Sequence, residues 1–382
     1  MQFNNGKHPR VPTVFPATFP IPRMRGIIVA TLLAILASSP LGVLQEARAY
    51  QESKVVKPET DATPATVSSH QPPAPKSEEF SPIRVLPKMR PITDFAVVDA
   101  TEGSETVLDD EMILGVEIKG ETRAYPMNMI NGPFREILND EVGGKAIAVT
   151  WCFLCHNGIV YAREVHGEVL TFSVSGLLWK RNLVMVDEES DSLWSHMLGR
   201  SMQGEFQGTV LERLPVTMTT WKIWKSQHPE TTVGILRRTS HRFQGDFYKA
   251  PQRFVIGFDN KSKARAWGFA DLIKQPVLNE ELNGIPVLVL FDAKSFTASL
   301  YSRSVDGQTL TFTQSDKHLR DRETGRIWDQ LTGKQMGTDA SLARLKRLPG
   351  VVSFAGSWKR FYPHSTFWGT HIDYGTTDAP EQ

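Results

Sequence analysis

The feature that most constrains the fold is a repetition at long range. Gly115 with Arg123-Ala-Tyr125 returns as Gly257 with Arg265-Ala-Trp267, an offset of 142, and Leu138-Asn139 returns as Leu278-Asn279 at an offset of 140. Tyr161-Ala-Arg163 matches Tyr301-Ser-Arg303 and Leu170-Thr-Phe172 matches Leu310-Thr-Phe312, again at 140. The offset then falls to 134, where Asp187, Trp194 and Gly199 match Asp321, Trp328 and Gly333, and Trp224-Lys225 matches Trp358-Lys359. Identities in one order at nearly constant spacing indicate two copies of one unit, about residues 112–232 and 254–366. So long a period excludes a solenoid or propeller blade and makes each copy a small domain or half of a pseudo-symmetric one.

Within each copy the signal is mainly strand. Ala146–Thr150, Ile159–Arg163 and Val169–Val174 are short, rich in β-branched and aromatic residues and partly alternating. Helix is expected only in short pieces, Pro126 to Leu138 and Thr219 to Gln227. The expected class is α+β and β-rich, with two tandem homologous repeats of mainly antiparallel strands and a few short helices. Flanking segments complete the plan: a signal peptide over 1–49, a flexible Pro/Ser-rich linker over 50–82, a first repeat with its lead-in over 83–232, a connection over 233–253, a second repeat over 254–370 and a tail over 371–382.

The amino end reads as an address. Arg23-Met-Arg25 precedes an apolar run from Ile27 to Leu36, and Ala47-Arg-Ala49 offers small residues at the cleavage spacing. Cleavage after Ala49 would release an exported protein, periplasmic or at the cell surface; an uncleaved membrane anchor is the alternative. Lys and Arg number 43 against 42 Asp and Glu, so there is no net basic field to draw the chain onto nucleic acid or acidic lipid. Protein partners are not legible.

The only two cysteines stand in Val149-Thr-Trp-Cys-Phe-Leu-Cys-His-Asn-Gly158. At the 140 offset they occupy the same place as Asp292-Ala-Lys-Ser295, a polar turn between two strand-like runs. Three apart on a strand, their Cα atoms would be about 10 Å from each other, beyond disulfide reach; in a four-residue turn the ends come within about 7 Å. His166-Gly167 looks like a two-residue hairpin turn, and continuing that register outward sets Cys155 opposite Leu178 and His156 opposite Leu177. The change of offset places six extra residues of the first copy between Val174 and Asp187, in the segment Ser175-Gly-Leu-Leu-Trp-Lys-Arg-Asn182. Both features peculiar to the first copy are therefore expected at one end of one sheet, with Ser175, Trp179, Lys180, Arg181 and Asn182 as pocket candidates.

Four readings of the motif stay open. Cys152, Cys155 and His156 suit a soft metal ion, copper(I) or zinc, with a fourth ligand from elsewhere. The thiols could exchange disulfides, although a thioredoxin-like site would place them at the start of a helix. Cys-x-x-Cys-His is also the attachment pattern of haem c, with Met185, His196 or Met197 as axial ligands. Finally, the pair could be a disulfide that closes a turn in a non-catalytic structural or interaction protein. Trp194, Trp224, Trp328 and Trp358, which recur in register, are expected in the core.

Taken together, Arg123-Ala-Tyr-Pro126, Leu138-Asn-Asp140 with Val142-Gly-Gly144, Val149-Thr-Trp-Cys-x-x-Cys155, Phe172-x-Val-Ser-Gly176 with Asn182-Leu183, and Leu193-Trp-Ser195 resemble the bacterial exported family called domain of unknown function 3179. The resemblance spans about residues 85–366 and implies a fold and an exported location rather than a reaction. Two departures stand out: Phe153 where the family commonly has Pro, and Arg135-Glu136 where it has His-Glu.

Overall fold

Runs of β-branched residues meet at two-residue turns whose backbone is left-handed, and this makes hairpins. Met112–Ile118 pairs antiparallel with Glu121–Pro126 around Lys119-Gly120 (φ 49° and 88°), and Ile137–Val142 pairs with Lys145–Cys152 around Gly143-Gly144 (φ 57° and 69°). Such turns match the twist of the strands they join. A computed structural model describes residues 79–260, 263–315, 318–337 and 342–375. The expected signal segment, nearly all of the linker and the end of the tail lie outside the described residues. Strand outweighs helix, 47% against 11%, so the molecule is β-rich with mainly antiparallel sheets. Among the described residues no helix is long and apolar enough to cross a membrane.

The leading half carries a sheet in the order Val216–Thr220, Met112–Ile118, Glu121–Pro126, Thr232–Ile235, Ala96–Asp99, and a second in the order Arg213–Leu214, Asn157–Ala162, Lys145–Cys152, Ile137–Val142. The trailing half carries Val351–Phe354, Phe254–Asn260, Lys263–Gly268, Thr366–Trp368, and then Val277–Leu282, Ile285–Asp292, Thr297–Ser302, Arg347–Leu348. The two halves share a parallel pairing in the same place, Thr232 opposite Arg123 and Thr366 opposite Arg265.

Residues that correspond in sequence make corresponding contacts. Asn139 accepts from the Phe172 N–H and donates to its carbonyl, both at 2.8 Å, and Asn279 does the same to Phe312 at 2.7 and 2.8 Å. The Trp194 indole donates to Asp187 and that of Trp328 to Asp321. A Cβ on Gly115 or Gly257 would come within 2.5 Å of the ring of Trp224 or Trp358, so only glycine lets those buried indoles lie flat on the strand. The four recurring tryptophans are core residues, as their pairing implied.

Three local expectations are corrected. The helix expected over Pro126 to Leu138 is a single turn, Met127–Ile130. Gly132-Pro133 interrupts it, and Ile137 and Leu138 join the strand that pairs with Lys145–Cys152. The second helix starts at Trp221, with Thr219 and Thr220 still in the strand that precedes it. The hairpin at His166-Gly167 closes as expected, Val165 opposite Glu168, but extends only to Glu164 opposite Val169. Asn139 captures both backbone groups of Phe172, and the chain leaves for a separate sheet as the strand Phe172–Trp179, paired with Asn182–Asp187. Cys155 is thus not the strand partner of Leu178, which pairs with Leu183 and Ile83.

The extra residues of the leading half lengthen this last hairpin, whose tip is Lys180-Arg181 at φ 52° and 60°. The matching hairpin of the trailing half, Phe312–Ser315 with His318–Asp321, stops short. One hydrophobic cluster spans both halves, from Leu114, Val149 and Trp151 to Ile256, Val289 and Leu300, and the connection adds Phe243, Phe247 and Tyr248.

Candidate functional site

The strand Lys145–Cys152 ends on Cys152, which pairs with Asn157 across a four-residue loop. The Cys155 N–H donates to the Cys152 carbonyl at 3.2 Å, and His156 takes the left-handed conformation (φ 49°) that sends the chain back into Asn157–Ala162. This is the turn that the 140 offset implied, and it brings the two sulfurs together. Both cysteines are free and buried.

Cys155 sits where several segments converge. Its thiol donates to the Arg181 carbonyl at 3.3 Å, and its sulfur accepts from the Asn182 side-chain amide at 3.0 Å. Ser357 and Cys152 also hydrogen-bond to it, and the Arg360 guanidinium is close enough to act through its charge. Burial alone would raise the Cys155 pKa; these donors and the cation outweigh it and hold the thiol at about 7. Cys152 goes the other way: burial, followed by the neighbouring sulfur and the negative charge of Glu136, pushes it well above the ordinary thiol range. The two adjacent thiols are thus shifted in opposite directions.

Two further groups are attached to this pair. Glu136 is 5% exposed, accepts weakly from the Phe153 N–H at 3.4 Å, and has its carboxyl pushed up to about 8 by burial, with a smaller contribution from Cys155. It is a buried acid that titrates near neutrality. On the other side Asn182 Oδ1 lies 3.1 Å from His196 Nδ1, and His196 Nε2 lies 2.7 Å from the Thr150 hydroxyl. Burial, and then the charge of Arg213, keep His196 neutral by lowering its pKa to about 3. The Thr150 hydroxyl donates to the Ile159 carbonyl at 2.6 Å, so toward His196 its oxygen serves as the acceptor for a proton on Nε2.

The expected site residues separate into two groups. Cys152, Cys155, Arg181 and Asn182 come together, and the Lys180 ammonium reaches the Arg360 carbonyl at 3.1 Å. Ser175 instead bonds to the Val184 carbonyl at 2.6 Å within its own hairpin, and Trp179 packs edge-on against Phe80 and Phe361. His156 turns away from the sulfurs. Its ring stacks on Phe354 at 4.1 Å and on Phe247 at 5.4 Å, facing a separate cavity of about 600 Å³ with Phe153, Arg242 and Lys249.

The left-handed backbone at His156 therefore breaks up the three-ligand set expected for copper or zinc. Among the described residues no group of three or more His, Cys, Asp or Glu is placed to hold a metal ion. Of the axial ligands expected for haem c, His196 has both ring nitrogens engaged.

The family model described as "Protein of unknown function (DUF3179)" matches residues 89–365, which includes the turn, the long hairpin and the helix Ala355–Phe361. The chain belongs to the DUF3179 family. No curated protein and no solved structure matches it. In this DUF3179 member the family's cysteine turn thus lies against residues of the trailing half. Sequence reasoning missed Ser357 and Arg360, which no local pattern connects to a turn some 200 residues earlier. Glu136 was visible only as half of a departure from the family pattern. A signal existed in the register: Glu136 directly precedes Ile137, which pairs with Thr150, so it falls beside the end of the strand that carries Cys152.

Proposed function

We propose that this protein is an exported dithiol–disulfide oxidoreductase in which Cys155 is the attacking sulfur, Cys152 the resolving one and Glu136 the proton carrier. The observation that carries the reading is the set of donors on a single buried sulfur, the Asn182 amide, the Ser357 hydroxyl and the Cys152 thiol, with Arg360 beside them. Such a set stabilises a thiolate more than a thiol.

The Cys155 thiolate attacks a substrate disulfide, forming a mixed disulfide and expelling one thiolate, which takes a proton from the Glu136 carboxyl. Cys152 then gives its proton to the Glu136 carboxylate and attacks the Cys155 sulfur, and the second substrate thiolate leaves and is protonated. The protein loses two electrons as the Cys152–Cys155 disulfide forms, and the substrate disulfide becomes two thiols. The turn geometry supports closure of that disulfide, since its ends lie within the reach such a bond requires. Export is supported by the basic-then-apolar pattern at Arg23 to Leu36, and the position-for-position contacts support reading the two halves as copies of one unit.

The test is the reaction of the reduced, folded protein with bis(2-hydroxyethyl) disulfide between pH 5 and 9. We expect a rate that rises through about pH 7, following Cys155, and formation of the internal disulfide. Thiols that stay inert until the whole protein unfolds would sink the reading. The second reading, a non-catalytic protein whose cysteines merely fill a turn, would then stand; the trailing half favours it, because Asp292 and Ser295 occupy the equivalent turn without sulfur.

A further inference from the structure

Beside the cysteine turn lies an open cleft of about 500 Å³ whose wall is made by Leu154 of the turn, by Arg181 of the long hairpin, by Arg253, and by Ser357 and Arg360 of the trailing half. Three guanidinium groups line it against one carboxylate, Asp373. Charges of one sign concentrated in a concave wall raise the local concentration of the opposite sign.

The wall is coupled to the sulfur. Arg360 Nη2 donates to the Ser357 hydroxyl at 2.9 Å, and Ser357 in turn hydrogen-bonds to Cys155, so a ligand held on Arg360 is two bonds from the thiol. Arg360 Nε is buried and has no acceptor among the described residues, a donor that an incoming oxygen would satisfy. Arg181 is brought to the cleft at a conformational cost. Lys180 and Arg181 are successive residues in the left-handed region, where a two-residue hairpin ordinarily carries Asn-Gly and side chains with a Cβ are disfavoured. The matching hairpin of the trailing half pairs only as far as Ser315 with His318.

Resting on the dithiol reading, we propose that the cleft is the substrate site and selects small disulfides that carry carboxylates, with Arg360, Arg253 and Arg181 holding the carboxylates and the scissile sulfurs directed between Leu154 and Ser357 toward Cys155. Guanidinium is the side chain whose fork matches a carboxylate in two bonds. The substrate is small because the opening is a cleft on one side of a turn rather than an extended groove. Arg360, Arg253 and Arg181 bind, and Cys155 reacts by the exchange described above.

The test has two arms, so that the cleft and the chemistry can fail separately. In the first, the reduced protein is oxidised by glutathione disulfide, which is anionic, by neutral bis(2-hydroxyethyl) disulfide, and by cationic cystamine, each rate divided by that of a small free thiol with the same reagent. We expect the anion to be favoured over the cation by at least about tenfold, one such ratio corresponding to about 1.4 kcal/mol, and this preference to fall toward unity in Arg253→Gln and in Arg360→Gln. Equal normalised rates for the three reagents, or a preference untouched by both substitutions, overturns the proposal. In the second arm, the Cys152→Ser/Cys155→Ser protein is titrated calorimetrically with S-methylglutathione, which cannot exchange. Saturable binding that is weakened in the same protein carrying Arg253→Gln supports the cleft even if the thiols prove inert, and absence of binding overturns it even if they prove reactive. Arg253 is half-buried with its guanidinium over the Phe354 ring, so the thermal midpoint of each variant is measured alongside to separate loss of binding from misfolding.

Discussion

The turn at Cys152 to His156 and the turn at Asp292 to Phe296 have the same backbone and opposite chemistry. Each is a four-residue loop closed by one strand pair, Cys152 with Asn157 and Asp292 with Thr297, and each leaves through a left-handed residue, His156 at φ 49° and Phe296 at φ 53°. In the trailing half the turn satisfies itself. Asp292 Oδ2 accepts from the Ser295 N–H at 2.9 Å and from its hydroxyl at 2.5 Å, and the Ser295 and Thr297 hydroxyls meet at 2.7 Å. In the leading half the sulfurs are satisfied from outside, by Asn182 and Ser357, with an acid and a cation added. The architecture therefore does not require thiols at this place. What surrounds them is additional to what the fold needs.

That contrast can be broken most sharply at sulfur. Cys155→Ser is expected to abolish disulfide exchange while leaving the thermal midpoint near that of the wild type, since a hydroxyl serves at the matching position of the other turn; a large loss of stability in differential scanning calorimetry would mean that the thiols are structural. Glu136→Gln gives the next largest effect, and it depends on pH. The folded protein holds the Glu136 proton up to about pH 8, whereas the unfolded chain releases it near 4.5. The stabilisation from that bound proton is complete below 4.5 and is lost as pH rises to 8, by at most roughly 1.4 kcal/mol per unit. Denaturant titrations should thus show Glu136→Gln gaining on the wild type between those two values and running parallel to it above; a constant difference across the window would place Glu136 outside the titrating site.

Asn182→Ala should cost about 1–3 kcal/mol by orphaning the buried His196 ring, and should move the pH profile of Cys155 alkylation to higher pH. An unmoved profile would remove Asn182 from the sulfur's environment. The smallest effect is expected from Asp292→Asn, which keeps one acceptor oxygen: about 0.5–1.5 kcal/mol of stability, read in the same denaturant titration, with the exchange rate unchanged. A change in that rate would show that the two turns are energetically coupled and that the comparison is too simple.

Much of this was legible in the sequence because it rests on local rules. Alternation and β-branching marked the strands around 146–150 and 159–163, His166-Gly167 marked one hairpin turn, and the matched tryptophans marked the core. The internal offset showed that Cys152 and Cys155 share a turn, and so can meet. The helix over 126–138 was misread because pairing with the neighbouring strand overrode an apolar run already cut by Gly132-Pro133. The expected meeting of the turn with the inserted hairpin does occur, at Asn182 and Arg181, but by a different route. Extending one hairpin register placed it at Leu177 and Leu178, whereas the chain changes sheets at Phe172 and returns through its tip.

By itself, then, the sequence determined that this chain is rich in short strands, that one hairpin bends at His166-Gly167, and that two sulfurs share one bend, since these follow from φ preferences, side-chain alternation and the internal offset. Only the tertiary structure decided the surroundings of those sulfurs: which has its proton loosened and which has it tightened, and that the neighbouring histidine is stacked on Phe354. The physical reason is that a buried group's pKa depends on every dipole and charge within a few ångströms. Here Glu136, Asn182, Ser357 and Arg360 arrive from segments that only the packed fold brings together.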